Sequence, residues 1–257
     1  MIAADLAMAL DPVALSRAAG IVPDDWQAGI LRSTAPRTLL NASRQSGKST
    51  TTGTLAVHEA IYRPGSLTLM LSPGLRQSGE LFRKAVGVYR TLGRPVPAEA
   101  ETLLRLELAN GSRIVSLPGS EDTIRGYSAP TLVLIDEASR VGDDLLAAVT
   151  PMLATARDSR LIALSSPAGK RGWWWQAWER GGAIWHRVEV AAVDVPRIGP
   201  AFLAAERATM TAAQYRQEYE CSFEEADAAV FAADAIANAI DPRRPALGLE
   251  VFARWTA

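Results

Sequence analysis

Apolar positions along the chain fall into two alternating patterns. Apolar-rich runs occur at residues 37–42 (RTLLNA), 67–71 (LTLML), 131–135 (TLVLI) and 160–164 (RLIAL). Runs of this kind suit strands that are covered on both faces, as in a parallel sheet. Between them, apolar residues recur at three- and four-residue spacing. Leu81, Phe82, Ala85, Val88, Tyr89 and Leu92 mark a helix over 75–92, a second helix follows the first strand to about Ile61, and 143–153 and 212–219 carry two more. Alternation of strand and helix predicts an α/β domain built on a mainly parallel sheet.

Other segments read differently. Residues 103–108 and 113–117 alternate with period two, and Asn110-Gly111 between them is the strongest hairpin signal in the chain. Residues 184–190 alternate as a later strand, and the N-terminus reads as a short helical region. Repeats and low-complexity tracts are absent from the sequence. Near the end, Asp241-Pro-Arg-Arg-Pro245 breaks any regular element, and 246–251 begin what reads as a fresh strand. The expected organisation is therefore one domain over residues 1–235, then a linker and strand stub over 236–257.

Composition narrows the function classes. With 48% hydrophobic and 21% charged residues in 257, a packed core is expected and wholesale disorder is not. A formal net charge of −1 gives no overall attraction to nucleic acid, so any DNA contact must come from local arginines. Arginine is abundant while Lys48, Lys84 and Lys170 are the only lysines, so a lysine carries more information than an arginine here. One cysteine and two histidines exclude an internal disulfide and argue against zinc and against a Ser-His-Asp hydrolase. The first residues lack a basic region before a long apolar run, and no stretch approaches ~18 apolar residues, so neither a secretion signal nor a membrane span is expected. A cytoplasmic location follows as the expectation.

The densest chemical signal is Ser43-Arg44-Gln45-Ser46-Gly47-Lys48-Ser49-Thr50, between a strand and a helix. Backbone amides of such a loop and of the helix start converge on phosphate oxygens. Lys48 would neutralise the β- and γ-phosphates of ATP, and the Ser49 hydroxyl would ligate Mg2+. Ala42 stands where the strict P-loop pattern has glycine, so the match is to the second half of the motif. Without a ligand the same residues would be a Ser/Gly-rich turn.

A partner signal lies in the run 131–135 ending at Asp136 and Glu137. An aspartate at the end of a buried strand sits beside the magnesium in P-loop enzymes, and the next glutamate can orient and deprotonate a water. Two adjacent carboxylates could instead begin a helix, where the dipole favours them. Paired with the P-loop, they point to an ATPase of the glutamate-base type and so to a three-layer P-loop NTPase. Ser165, Ser166 and Pro167 follow another buried strand, where hydroxyls can sense the γ-phosphate, although Ser-Ser-Pro is also ordinary turn chemistry. Gln27, after Trp26 and before the first strand, could hydrogen-bond adenine or simply start a helix.

Taken in order, Trp26-Gln27, the Ser43–Ser49 loop, Ile124-Arg125-Gly126, Leu134-Ile-Asp-Glu-Ala138 and Ser165-Ser-Pro167 resemble the large terminase subunit of tailed bacteriophages. Tyr215-Arg-Gln-Glu-Tyr-Glu-Cys-Ser-Phe223 and Ala229-Val-Phe231 are similar to the end of that family's ATPase domain. The resemblance implies a homo-oligomeric packaging motor that uses ATP and Mg2+ to move double-stranded DNA, with a portal protein and a small terminase subunit as partners. It implies adenine sensing for Gln27, magnesium ligation for Asp136, the catalytic base for Glu137 and coupling for Ser165–Pro167. Arg44 corresponds to an arginine proposed to act in cis, and Arg125 to one that acts on a neighbouring subunit's ATP; Arg125 is the slightly favoured finger. Leu247-Gly-Leu-Glu-Val-Phe-Ala-Arg254 resembles the first strand of the family's nuclease domain, with Glu250 in place of aspartate. One carboxylate cannot assemble a two-metal site, so no nuclease activity is expected from these residues. The competing readings are a helicase-like translocase and a non-catalytic remnant that only docks. Trp173, Trp174 and Trp178 read as packing residues sooner than base-stacking ones. Arg76, Arg83, Lys84 and Arg90 read as an exposed helix face, and Lys170-Arg171 as a solvated loop or a DNA-backbone contact.

Overall fold

Residues 2–156 and 158–225 are described by the computed structural model. Ala229–Phe231, the break at 241–245 and the strand read at 246–251 lie outside them. Three helices come first: α1 (Ile2–Leu10), α2 (Pro12–Ala18) and α3 (Asp25–Arg32). The P-loop unit follows as β1 (Arg37–Ala42) and α4 (Lys48–Tyr62), then β2 (Leu67–Ser72) and α5 (Leu75–Thr91). Next come β3 (Ala98–Glu101), β4 (Arg105–Leu108) and β5 (Arg113–Pro118), the short α6 (Glu121–Ile124), and β6 (Leu132–Asp136). The chain continues through α7 (Asp143–Leu153), β7 (Arg160–Ser165), α8 (Gly172–Arg180), β8 (His186–Val190), α9 (Pro200–Thr209) and α10 (Ala212–Tyr219).

Among the described residues, eight strands form one sheet in the order β3-β4-β5-β2-β6-β7-β1-β8. The six strands from β5 to β8 in that order pair in parallel, while β3-β4 and β4-β5 are antiparallel. Successive side chains on a strand point to opposite faces, and each apolar run serves both. Leu40, Met70, Leu134 and Ile162 pack into one core with Leu55, Val57, Phe82 and Tyr89 from α4 and α5. Leu39, Leu69, Ile135 and Ala163 pack into the other with Leu145 and Val149 of α7 and Trp173 and Trp174 of α8. Helix, sheet and helix thus make three layers, as the apolar-rich runs require.

Asn110 does two jobs in the hairpin. Its amide nitrogen donates to the carbonyls of Ala60 and Ile61 at the end of α4 at 2.9 and 3.2 Å, and its side-chain oxygen accepts the Ser112 N–H at 3.0 Å. The strand before the turn starts at Arg105, two residues later than the alternation indicates, because Thr102 forms its own turn and leaves Leu103 exposed. Periodicity in the sequence does not reveal β3 or α9. Strand β3 is short, half acidic and an edge strand paired only with β4, while α9, though largely apolar in composition, has no fully buried residue. Among the described residues no helix is long and apolar enough to cross a membrane.

Two glycines test the helical layer. Gly53 of α4 lies against α5, and a Cβ there would meet the Ala85 backbone nitrogen at 3.3 Å. Gly87 of α5 is exposed, with nothing within 4 Å of an added Cβ. Gly87→Ala is expected to stabilise by about 0.5–1 kcal/mol through helix propensity. Gly53→Val should destabilise by ~1–3 kcal/mol through overpacking. Thermal melts of the two variants should therefore move in opposite directions.

Candidate nucleotide-binding site

Strand β1 ends at Ala42, and the chain turns through residues 43–47 into α4. The turn needs two left-handed residues, Gln45 at φ 61° and Gly47 at φ 95°. The φ of Gly47 favours glycine, and a Cβ there would stand 2.7 Å from the Gln27 amide nitrogen and displace that side chain. Lys48 opens the helix and folds back over the loop, donating from Nζ to the carbonyls of Ala42 at 2.9 Å and Ser43 at 3.0 Å. Ala42, which departs from the strict motif, is fully buried and contributes its carbonyl rather than its side chain. The Ser46 hydroxyl donates to the Ser43 carbonyl at 2.8 Å, closing the loop on itself. The first amides of α4 have no intrahelical acceptor and offer an anion site. Burial lowers the Lys48 pKa, against the pull of Glu137 and Asp136.

Across the sheet, Asp136 ends β6. Strand β7 lies between β6 and β1, so the acidic strand is not next to the P-loop strand. Ser49, one residue into α4, spans the gap: its hydroxyl donates to the Asp136 carboxylate at 3.1 Å. The other carboxylate oxygen accepts the Glu137 N–H at 3.0 Å. Burial raises the Asp136 pKa, the neighbouring Glu137 charge raises it further, and the Ser49 bond and Lys48 only partly oppose them. Glu137 itself is left-handed, at φ 51° and ψ 42°, and does not begin a side-chain-capped helix. Its carboxylate lies 3.8 Å from Arg140.

Ser165, the last residue of β7, is buried, as is Ser166. The Ser165 hydroxyl accepts the Ser139 N–H at 3.2 Å and lies 2.7 Å from the Ser139 hydroxyl, so it bonds the turn that carries Glu137. Asp136 pairs with Leu164, and Leu164 faces the α4 core; Ser165 alternates to the opposite face. Pro167 is buried beside them.

Gln27 is buried at the start of α3, where its side-chain oxygen accepts the Asp24 N–H at 2.9 Å and its nitrogen donates to the Ser46 carbonyl at 3.4 Å. Arg44 is exposed and ion-paired with Glu218 of α10, and its N–H donates to the Glu218 carbonyl. Arg125 is exposed in the turn after α6. Ser43 gives its N–H to the Val190 carbonyl of β8, and Thr50 gives its own to the Gly47 carbonyl. Beside the loop a cavity of about 510 Å³ is lined by Arg44, Gln45, Arg197, Ile198, Phe202 and Tyr219.

Several of these residues carried no sequence signal. Arg197 and Asp24 are charged loop or helix-end residues among many, and Ser139 follows the acidic pair without a motif of its own. Glu218 and Tyr219 lay inside the recognised segment 215–223. The aromatic cluster is a packing feature: Trp173 and Trp174 are buried, and the Trp173 indole donates to the Val141 carbonyl at 3.2 Å. The four basic residues of α5 are exposed, with Arg83 and Arg90 paired to Glu80 and Glu101.

A strand–loop–helix turn with a buried lysine, and an acidic strand one position removed across a mostly parallel sheet, make a P-loop NTPase-like α/β fold. The chain belongs to the large terminase subunit family: residues 39–238 match the model of the N-terminal domain of the T4likevirus-type terminase large subunit. It is 29% identical over 169 residues to the terminase large subunit of Thermus virus P23-45, covering 58% of this chain and 35% of that protein. The chain thus spans about a third of the length of that curated relative. In structure it is similar to the large terminase ATPase domain of Thermus phage P74-26, with a TM-score of 0.69 and 24% identity over 81% of this chain and 96% of that one. It is also similar to the large terminase of a thermophilic bacteriophage in complex with ADP, with a TM-score of 0.58 and 10% identity over 74% of this chain and 49% of that one. At these identities the structural likeness speaks for the fold.

Asp136 yields a pH prediction. A carboxyl whose folded pKa is raised contributes full stability below its unfolded value, about 3.9, and that stability is lost as pH rises through the folded value. Asp136→Asn escapes the loss. In nucleotide-free protein with divalent cations chelated, the melting temperature of the variant should gain on that of the parent between pH 4 and neutrality. Parallel curves would contradict a raised pKa for Asp136.

Proposed function

We propose that this chain is the motor domain of a large terminase, hydrolysing ATP to drive double-stranded DNA into a phage prohead. The observation that carries the reading is the Lys48 ammonium held by two strand-end carbonyls beside the Ser49–Asp136 hydrogen bond. Turning Lys48 from these carbonyls onto phosphate oxygens would exchange neutral partners for charged ones, and charge-assisted bonds are the stronger. Ser49 and Asp136 are hard oxygen donors of the kind Mg2+ takes, and phosphate oxygens and water would complete its shell. When bound, Mg2+ would offset charge on the β- and γ-phosphates.

Glu137 would accept the proton of the attacking water, because its side chain is partly exposed at the strand end while Asp136 stays with Ser49. The loop amides and Lys48 would stabilise charge on the transferred phosphoryl group. Arg125, exposed beyond β5, would reach the ATP of an adjacent subunit in a homo-oligomeric ring; Arg44, paired with Glu218, would need to leave that pair to act in cis. The cavity beside the loop would hold adenine, and Gln27 would need to turn from the Asp24 N–H and the Ser46 carbonyl to sense it. Ser165, Ser166 and Pro167 would couple hydrolysis to movement through the Ser139 turn. Portal protein, small subunit and the host cytoplasm belong to the same proposal.

Lys48→Ala should lose most ATP affinity in a fluorescent-nucleotide titration. Glu137→Gln should keep that affinity while lowering phosphate release by about 10²–10⁴-fold, the usual contribution of a general base. The assay needs high protein concentration and DNA so that rings assemble. Multiple turnover by Glu137→Gln would remove Glu137 from the base role, and unchanged binding by Lys48→Ala would overturn the phosphate site.

A further inference from the structure

The loop's two left-handed residues flank Ser46, and the buried Ser46 carbonyl is the point at which outside groups hold it. Arg197 lies between β8 and α9, and its guanidinium donates to that carbonyl at 2.7 Å, while the Gln27 amide donates to the same oxygen at 3.4 Å. The arginine's bond to Ser46 comes from Nη2; the other terminal nitrogen, Nη1, donates to both carboxylate oxygens of Asp24, at 2.9 and 2.8 Å. The arginine's own backbone is fixed by the turn in which the Ile198 N–H donates to the Val195 carbonyl at 2.9 Å, with Ile198 packed on the core.

We propose that Arg197 is the positioning residue of the phosphate loop, with Asp24 as its anchor, an inference that rests on the nucleotide site described above. The physical reason lies in the peptide between Ser46 and Gly47. A trans peptide is planar, and its C=O and N–H point in opposite directions. Drawing the Ser46 carbonyl towards Arg197 and Gln27 therefore turns the Gly47 N–H the other way, into the loop where an anion would sit. Left-handed residues on both sides make this peptide the part of the loop with most to gain from an external hold. Two terminal nitrogens fixed in one plane, Nη2 on the Ser46 carbonyl and Nη1 on the Asp24 carboxylate, hold the two groups at a set separation that the single nitrogen of a lysine cannot reproduce. An ion pair as exposed as this one adds little to stability by itself, so its effect should appear in the loop rather than in the melting temperature.

The test uses Arg197→Ala, Arg197→Lys and Asp24→Asn in the full chain, with two measurements. The first is hydrogen exchange of nucleotide-free protein: peptides covering residues 43–49 should exchange faster in Arg197→Ala, while peptides of β6 and α5 keep the parent's rates. The second is binding of ATP and of inorganic tripolyphosphate. Both should weaken by about tenfold, the size expected for losing a charge-assisted hold, with Arg197→Lys intermediate and the Asp24→Asn, Arg197→Ala double variant no worse than Arg197→Ala. If Arg197→Ala does not fold, Asp24→Asn and Arg197→Lys carry both measurements. Unchanged exchange over 43–49 overturns the proposal. Loss of ATP binding with tripolyphosphate binding intact also overturns it, since that outcome assigns Arg197 to the base. A parent protein that binds neither ligand refutes the nucleotide reading, and the exchange experiment then decides the loop-holding role by itself.

Discussion

Burial of the Lys48 ammonium is the constraint on which the site depends. Removing a charged amine from water is costly unless strong acceptors replace the solvent. Here the acceptors are the carbonyls of Ala42 and Ser43, at the point where β1 stops pairing. Ser43 still gives its N–H to β8, while its carbonyl turns to the lysine. Asp136 is the counterpart, a buried carboxyl with a raised pKa and a serine hydroxyl beside it. Neither charge is fully compensated by the protein. A polyanion accompanied by a divalent cation would supply what both lack, which is the physical basis of the proposed nucleotide site.

Sheet order sets the dimensions of this arrangement. With β7 between the two chemical strands, β1 and β6 stand about 10 Å apart, two strand spacings. The start of α4 bridges that distance through Ser49. The same intervening strand supplies Ser165, which pins the Ser139 turn from the far face of the sheet. Glu137 is therefore held from two sides: its N–H by Asp136, and its turn by β7. A left-handed glutamate costs of order 1–3 kcal/mol, and these bonds are what keep it there.

Parts remote in sequence complete the loop. Helix α3 brings Asp24 and Gln27 from before the sheet, and the segment after β8 brings Arg197 from 173 residues beyond Asp24. Helix α10 adds Glu218 against Arg44, and Asn41 of β1 donates to the Cys221 carbonyl at 2.9 Å. The loop is thus held by segments from before and after the sheet, the Arg197 turn at Ser46 and α10 at Arg44.

The sequence by itself determined seven of the eight strands and the three layers, and it marked Lys48 and Asp136 as the candidates that the fold brings to one edge of the sheet. The reason is that these signals are local: a doubly covered strand is mostly apolar along its length, and Gly-Lys-Ser between a strand and a helix is a short contiguous motif. The family resemblance, carried by short motifs in a fixed order, was legible for the same reason. Tertiary structure alone decided that Ala42 serves through its carbonyl, that Ser165 faces the Ser139 turn, and that Gln27 is committed to Asp24 and Ser46. It alone brought Arg197 to the loop, because a single arginine among two dozen has no pattern until the fold places it beside a carbonyl. Edge strand β3 and helix α9 escaped for a related reason: they bury little apolar surface, so their form is set by neighbours and not by periodicity.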